Sequence, residues 1–233
     1  MQKKILKDNL TTIILCGGKG KRLFPLTKSL PKPLVKINGT EILTYILKNQ
    51  FKYKLNDIII ATGYKHKYFK NYQKKNNKKF KIKLVNTNIR ADIIQRIIKC
   101  EKYCKDYVMV CYGDTIVDIN IDKLIKFFLI NKKKIVLSSY NLKSQFGLMK
   151  ISRSGKVKSF EEKSNLNLFF NIGYFLFKRD KFKYIKNFSS FKKFLENKNS
   201  LKMLRSFIHR GNHITVNTLN ELNDAKKKLK DLS

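Results

Sequence analysis

The chain has 233 residues, 42% of them hydrophobic, and a formal net charge of +36. That length and apolar content exclude a disordered chain and suit one domain with a buried core. Its lysines are scattered along the whole chain among asparagines, isoleucines and phenylalanines instead of lying on one stripe, so the charge reads as compositional, and no specific nucleic-acid partner is expected. No apolar run is long enough to span a bilayer, and the opening MQKKILKDNL lacks the apolar centre of a secretory signal, which together predict a cytoplasmic protein with no membrane partner. Cys16, Cys100, Cys104 and Cys111 form no paired Cys-x-x-Cys units and have no histidines at zinc spacing, so neither a metal knuckle nor a disulfide framework is predicted.

Residues 12–16, Thr-Ile-Ile-Leu-Cys, read as a buried strand because β-branched side chains dominate and glycines end the run. Gly17, Gly18 and Gly20 follow, where a backbone without side chains can bring its N–H groups close to phosphate, and Lys19, Lys21 and Arg22 add positive charge to the same turn. A Walker loop would need Ser or Thr after its lysine, where Lys21 is followed by Arg22, and the third glycine of a dinucleotide fingerprint is missing. Pro31-Lys32-Pro33 then holds one lysine between two residues of locked φ. Two stiffly presented cationic elements in one short segment point to a polyphosphate ligand.

Residues 34–37 read as a short strand with Asn38-Gly39 as its turn, and Thr40 as the N-cap of a helix to about residue 51. A second buried strand covers 57–62 and closes at Gly63-Tyr64; a helix over 68–75, a solvated lysine and asparagine loop over 74–79, a third strand over 80–85 and a helix over 93–103 follow. Strands alternating with helices predict an α/β fold with a parallel sheet. Residues 107–112, Tyr-Val-Met-Val-Cys-Tyr, are apolar enough for the centre of that sheet, and Gly113-Asp114 ends them. An aspartate beyond a central strand points into the crevice that the glycine loop also faces, where it suits Mg²⁺.

Further on, Asp122 is expected to cap a helix to about residue 131, and 135–140 to form a strand. Ser154-Gly155 reads as the turn of a hairpin whose second strand covers 157–163 and ends in Glu162 and Lys163. From Arg179 onward the chain reads as helical and basic, with a closing strand over 213–218 and a terminal helix over 219–232.

The string Gly17-Gly18-x-Gly20-x-Arg22-Leu23, followed by Pro31-Lys32-Pro33-Leu34, resembles the signature of the sugar-1-phosphate nucleotidyltransferases. The stretch from Tyr112 through Asp114 and Asp118 to Ile121 resembles the YGDxxxDxxI segment of their glucose-1-phosphate cytidylyltransferase branch. Gln145-Phe146-Gly147-Leu148, Glu162-Lys163 and Asn171-Ile172-Gly173 resemble elements lining the family's sugar pocket, and Glu221, Leu222 and Ala225 its closing motif.

This resemblance implies a Rossmann-like three-layer αβα sandwich with a mostly parallel mixed sheet, in one domain over 1–233. Residues 1–110 would form its nucleotide-binding half, and 111–233 a metal and sugar-phosphate half with a basic helical C-terminus. It implies transfer of a nucleotidyl group from an NTP to a sugar-1-phosphate, with Mg²⁺ as cofactor, for cell-surface polysaccharide synthesis; a homo-oligomer is left open. Arg22 and Lys32 would be catalytic. Cys16, Gly17, Gly18, Gly20, Lys21, Arg22, Gly63 and Gly113 would bind nucleotide, and Gly147, Glu162, Lys163, Asn171 and Gly173 the sugar phosphate. Asp114 and Asn217 would hold the metal, Asn217 standing where the family often has aspartate. The glycine-containing stretch that receives the base is missing, so Asp92 and Gln95 are expected to read it instead. Two rivals remain at this stage: a nucleic-acid-binding protein on the same fold, motivated by the charge, and a non-catalytic nucleotide or sugar sensor, motivated by Asn217 and the missing glycines.

Overall fold

The computed structural model describes residues 2–76, 80–131, 134–144, 146–162 and 165–230. Helix α1 (Gln2–Asp8) leads into strand β1 (Leu10–Cys16), followed by the short helix α2 (Leu26–Ser29) and the ribbon β2 (Lys36–Ile37) and β3 (Thr40–Glu41). Then come α3 (Ile42–Lys52), β4 (Ile58–Thr62), α4 (His66–Asn76), β5 (Ile82–Asn86) and α5 (Ile93–Cys100). The central segment runs β6 (Tyr107–Tyr112), β7 (Thr115–Val117), α6 (Ile121–Ile130), β8 (Ile135–Lys143), and the hairpin β9 (Leu148–Ile151) and β10 (Val157–Glu161). Strand β11 (Asn165–Lys178), helices α7 (Phe182–Ile185), α8 (Phe191–Glu196) and α9 (Lys198–Met203), strands β12 (Leu204–His209) and β13 (His213–Thr215), and helix α10 (Leu219–Lys230) complete the chain.

Seven strands form the main sheet in the order β12-β8-β11-β6-β1-β4-β5, with β6 at its centre as its apolar composition implies. β6, β1, β4 and β5 run parallel, as do β8 and β12, and β11 runs antiparallel to both of its neighbours. Side chains that alternate along each central strand sort into two cores. Ile14, Ile60, Met109, Cys111, Tyr174 and Leu176 join Leu43 of α3, Phe69 of α4, Leu124 of α6 and Leu222 of α10 on one face. Ile13, Ile59, Val108, Val110, Phe175 and Phe177 join Ile94 of α5, Phe182 of α7 and Phe194 of α8 on the other. A sheet covered on both faces by helices is the expected three-layer sandwich.

Several local expectations are corrected. Helix α1 was not anticipated, because only Ile5 and Leu6 are apolar within it; Leu6 is buried, and Lys7 pairs with Asp122 of α6 at 2.7 Å. Thr40 lies in the β2–β3 ribbon, so α3 starts after Glu41. Asn120 and not Asp122 caps α6: its Oδ1 accepts from the Lys123 N–H at 3.0 Å. Helix α5 ends at Cys100 and tightens into a 3₁₀ turn over Glu101–Tyr103. The region expected to be helical from Arg179 contains β12, an edge strand paired only with β8. One partner strand and a mostly exposed surface leave β12 with too little apolar alternation to stand out from its lysine-rich flanks. The closing strand is shorter than expected and pairs with β7, outside the main sheet. Part of the 74–79 loop lies outside the described residues.

Candidate nucleotide and metal site

The carboxyl ends of β1 and β6 open on a cavity of about 560 Å³ lined by Cys16, Gly17, Gly18, Gly20, Lys21, Arg22, Lys32, Asp92, Arg96, Tyr112, Asp114 and Asn217, among others. Open α/β sheets bind ligands at this edge, where neighbouring connections leave a crevice. Gly20 takes a left-handed backbone conformation with φ of 63°, and its carbonyl accepts from the Thr27 hydroxyl at 2.8 Å. That bond fastens the loop to α2. Lys32 sits at the start of a 3₁₀ turn between two prolines and is 6% exposed, so the mount expected from Pro31-Lys32-Pro33 is realised as a buried lysine.

The Lys32 Nζ donates to Asp114 Oδ2 at 2.7 Å and to Asn217 Oδ1 at 2.9 Å; Arg22 Nη2 donates to the same Asn217 oxygen at 3.0 Å. Residues far apart in sequence therefore meet at one ammonium. Asn217 is held from behind, its backbone N–H donating to Glu221 Oε2 in the first turn of α10, while the Glu221 N–H donates to Thr218 Oγ1 at 3.2 Å. Two hard oxygens converging on one cation form a donor set that fits Mg²⁺, which takes few protein oxygens and completes its shell with water and phosphate. No cluster of three or more acidic, histidine or cysteine ligands occurs among the described residues.

Arg96 was not singled out from the sequence, and it joins the separate walls of the cavity. It is buried on α5. Its Nη1 donates to Thr87 Oγ1 at 2.7 Å and the Asn88 carbonyl at 2.9 Å, and its Nη2 to the carbonyls of Gly17 at 3.2 Å and Ile89 at 3.3 Å. Any Cβ at position 17 would run into this guanidinium, which is a packing reason for that glycine. Burial pushes the Arg96 pKa down, with Asp92 acting in the opposite sense. Its one sequence signal is a cation at a buried position between Ile94 and Ile97 on an otherwise apolar helix face.

Burial pushes the Cys16 thiol well above its ordinary pKa, so it lines the cavity as a neutral small group. Asp92 lines the cavity too, but its Oδ1 accepts from the N–H groups of Ile94 at 3.0 Å and Phe191 at 2.9 Å. Gln95 completes a capping box, its Oε1 accepting from the Asp92 N–H at 2.9 Å, and lies outside the lining. Both side chains are engaged in starting α5, and of the two only Asp92 lines the cavity. Gly63 and Gly113 lie behind the loop, the Gly113 N–H donating to the Leu15 carbonyl at 3.1 Å.

The residues expected to hold a sugar phosphate are only partly gathered. Asn171 lines an adjoining cavity of about 520 Å³ that shares Asp92, Ile93 and Tyr112 with the first. Its Nδ2 donates to the Tyr112 hydroxyl at 3.3 Å and its Oδ1 accepts from the Gly173 N–H at 2.8 Å. Gly173 has φ of 82° and lies against the Tyr112 ring, with no room for a Cβ. Gly147 and the exposed Glu162 belong to the hairpin region and line neither cavity; Lys163 lies outside the described residues.

A crevice at the head of a mostly parallel sheet, lined by glycine backbone and cations, lies where α/β folds of this kind bind phosphorylated ligands. The nucleotidyl transferase family profile matches residues 11–221, and the chain belongs to that family. It is 29% identical over 198 residues to a probable glucose-1-phosphate cytidylyltransferase of Bacillus subtilis, covering 76% of this chain and 78% of that protein. It is 32% identical over 156 residues to a D-glycero-α-D-manno-heptose 1-phosphate guanylyltransferase of Campylobacter jejuni, covering 66% and 69%. A solved structure of a putative glucose-1-phosphate thymidylyltransferase from Bacillus anthracis, in complex with a sucrose, superposes with a TM-score of 0.73 at 22% identity over 96% of both chains, a likeness of fold.

Proposed function

We propose that the protein transfers a nucleotidyl group from an NTP to a sugar-1-phosphate, giving an NDP-sugar and pyrophosphate, and so supplies activated sugar in the cytoplasm for cell-surface polysaccharide. The observation that carries this reading is the meeting of Lys32 with Asp114 and Asn217 beside the glycine loop, on a fold whose relatives include sugar-1-phosphate cytidylyl- and guanylyltransferases.

In the reaction, an oxygen of the sugar phosphate forms a bond to the α-phosphorus in line as the bond from that phosphorus to the bridging oxygen of pyrophosphate breaks. The attacking phosphate is already anionic near neutral pH, so no general base is required. The protein supplies alignment and charge neutralisation. The backbone at Gly17, Gly18 and Gly20, with Lys21, cradles the triphosphate, and Arg22 faces the departing pyrophosphate. Lys32, mounted between Pro31 and Pro33, neutralises charge on the transferring phosphoryl group. Asp114 and Asn217 would hold Mg²⁺, which when bound offsets the negative charge of the phosphates. Residues 1–110 thus carry most of the nucleotide contacts, and 111–233 the metal and acceptor contacts.

A pyrophosphate-release screen of four NTPs against glucose, mannose and heptose 1-phosphates tests the reading. Release with at least one pair, dependent on both substrates and on Mg²⁺, is expected. Silence across the panel contradicts it.

A further inference from the structure

Asp118, the second aspartate of the stretch from Tyr112 to Ile121, has no part in the transfer chemistry. It follows directly on β7, as Asp114 directly precedes it, and β7 pairs with β13 in a two-stranded ribbon outside the main sheet. Thr115 faces Thr215, Ile116 faces Ile214 and Val117 faces His213, so Asp114 and Asn217 both lie just past one end of the ribbon and Asp118 just past the other. We propose that Asp118 is a positioning residue: by closing the far end of the ribbon it fixes the register that brings the Asn217 oxygen beside that of Asp114, and so the oxygen pair open to a divalent cation. This inference rests on the metal site of the nucleotidyl-transfer reading.

Both carboxylate oxygens of Asp118 are engaged by the turn that leads into β13. Oδ1 accepts from the Asn212 backbone N–H at 2.7 Å and Oδ2 from Asn212 Nδ2 at 2.9 Å, while the Asp118 N–H donates back to the Asn212 carbonyl at 3.4 Å. His209 Nε2 lies 3.0 Å from the same Oδ1 and 3.1 Å from the Asn212 carbonyl, so a proton on that nitrogen serves both oxygens. His209 is buried and ends β12, which pairs with β8 of the main sheet, so the clamp also moors the ribbon to the sheet. Gly211 sits inside the clamp. A Cβ there would strike the Asp118 carboxylate and the His209 ring, so close approach is the reason for this glycine.

Register matters here because three pairs make a ribbon that is marginal alone, and a slip of one residue turns every side chain of the slipping strand to the opposite face. Asn217, two residues past β13, moves with that strand. Burial of Val117, Ile214 and Val216 holds the ribbon against the core, and the directional bonds to Asp118 add a preference for one register. Glu221 holds the Asn217 N–H from α10, so the segment between β12 and α10 is fastened near both ends, by Asp118 at Asn212 and by Glu221 at Asn217.

The test is binding of Mn²⁺, a paramagnetic substitute for Mg²⁺, followed by electron paramagnetic resonance in wild type, Asp114→Ala, Asp118→Ala and Gly211→Ala. Wild type is expected to show a site that Asp114→Ala removes. Asp118→Ala deletes the clamp's acceptors and Gly211→Ala displaces them from the opposite side, so either variant tests the clamp if the other fails to fold, which melting curves report. Each should weaken the site about fivefold or more, short of the roughly 10–100-fold lost with a direct support of a metal ligand, because Asp118 acts through the ribbon. In pyrophosphate release, the Mg²⁺ concentration at half-maximal rate should rise by the same factor while KM for the NTP stays within about twofold. Metal affinity within about twofold of wild type in the folded variants, an equal rise in NTP KM, or no site in wild type that depends on Asp114 overturns the proposal. Should the Mn²⁺ pattern hold while wild type releases no pyrophosphate, the positioning role stands and the transfer reading fails.

Discussion

Arg96 holds together three pieces of chain that share no local sequence relationship: the glycine loop, the exit of β4 and the turn over residues 87–89. Arg96→Met would leave the carbonyls of Gly17, Asn88 and Ile89 without this donor, and a buried unsatisfied group costs about 1–3 kcal/mol. Thermal melting should show lower stability, and the KM for nucleotide should rise more than kcat falls, because the glycine loop proposed to meet phosphate loses its anchor. Gly17→Ala should give the same pattern by pushing the guanidinium aside. Normal nucleotide KM in both variants would mean that the loop holds its shape without Arg96. Most of the remaining site was legible at this scale. Gly17, Gly18, Gly20, Arg22 and Lys32 fall within one short segment, and Asp114 follows directly on an apolar strand, so local chemistry was enough to find them. Arg96 was not legible, because its acceptors are backbone carbonyls supplied by the folded chain.

The elements that sequence reading placed well are those buried on both faces. β1, β4 and β6 are nearly continuous apolar runs, and each was expected within a residue or two of where it lies. α1, β12 and α8 are partly exposed, and tertiary contacts rather than local periodicity decide them. The same edge of the molecule carries a pH-sensitive contact. His213 on β13 lies between Tyr140 at 5.2 Å and Phe170 at 5.2 Å. Burial, with His209 and Lys228 adding to it, pushes its pKa down to about 4 from 6.5. The unfolded chain then takes up this proton at higher pH than the folded one, so the contribution of neutral His213 to stability is present above pH 6.5 and is lost as pH falls toward 4. Melting temperatures measured between pH 6.5 and 4.5 should fall less steeply for His213→Phe than for wild type. Parallel curves would show that His213 carries no such linkage.

Across the whole molecule, basic charge and α/β architecture act together. Lysine and arginine total 52 against 16 acidic residues, and an excess of that size favours encounter with anionic substrates. Encounter is not catalysis, however, and the candidate site depends on a few groups that long-range topology brings to one point. β6 and β1 lie side by side in parallel, which sets Asp114 next to the glycine loop, and β13 with α10 returns Asn217 to the same place. No helix among the described residues is long and apolar enough to cross a membrane.

The roles proposed for Lys32 at the transferring phosphate and for Asp114 as metal ligand are tested most directly by pyrophosphate release from purified Lys32→Ala and Asp114→Ala, each checked for an unaltered fold by its melting curve. Loss of pre-placed charge at a transferring phosphoryl group should lower kcat by about 100-fold or more in each variant. Turnover close to the wild-type value in both well-folded variants would contradict the account.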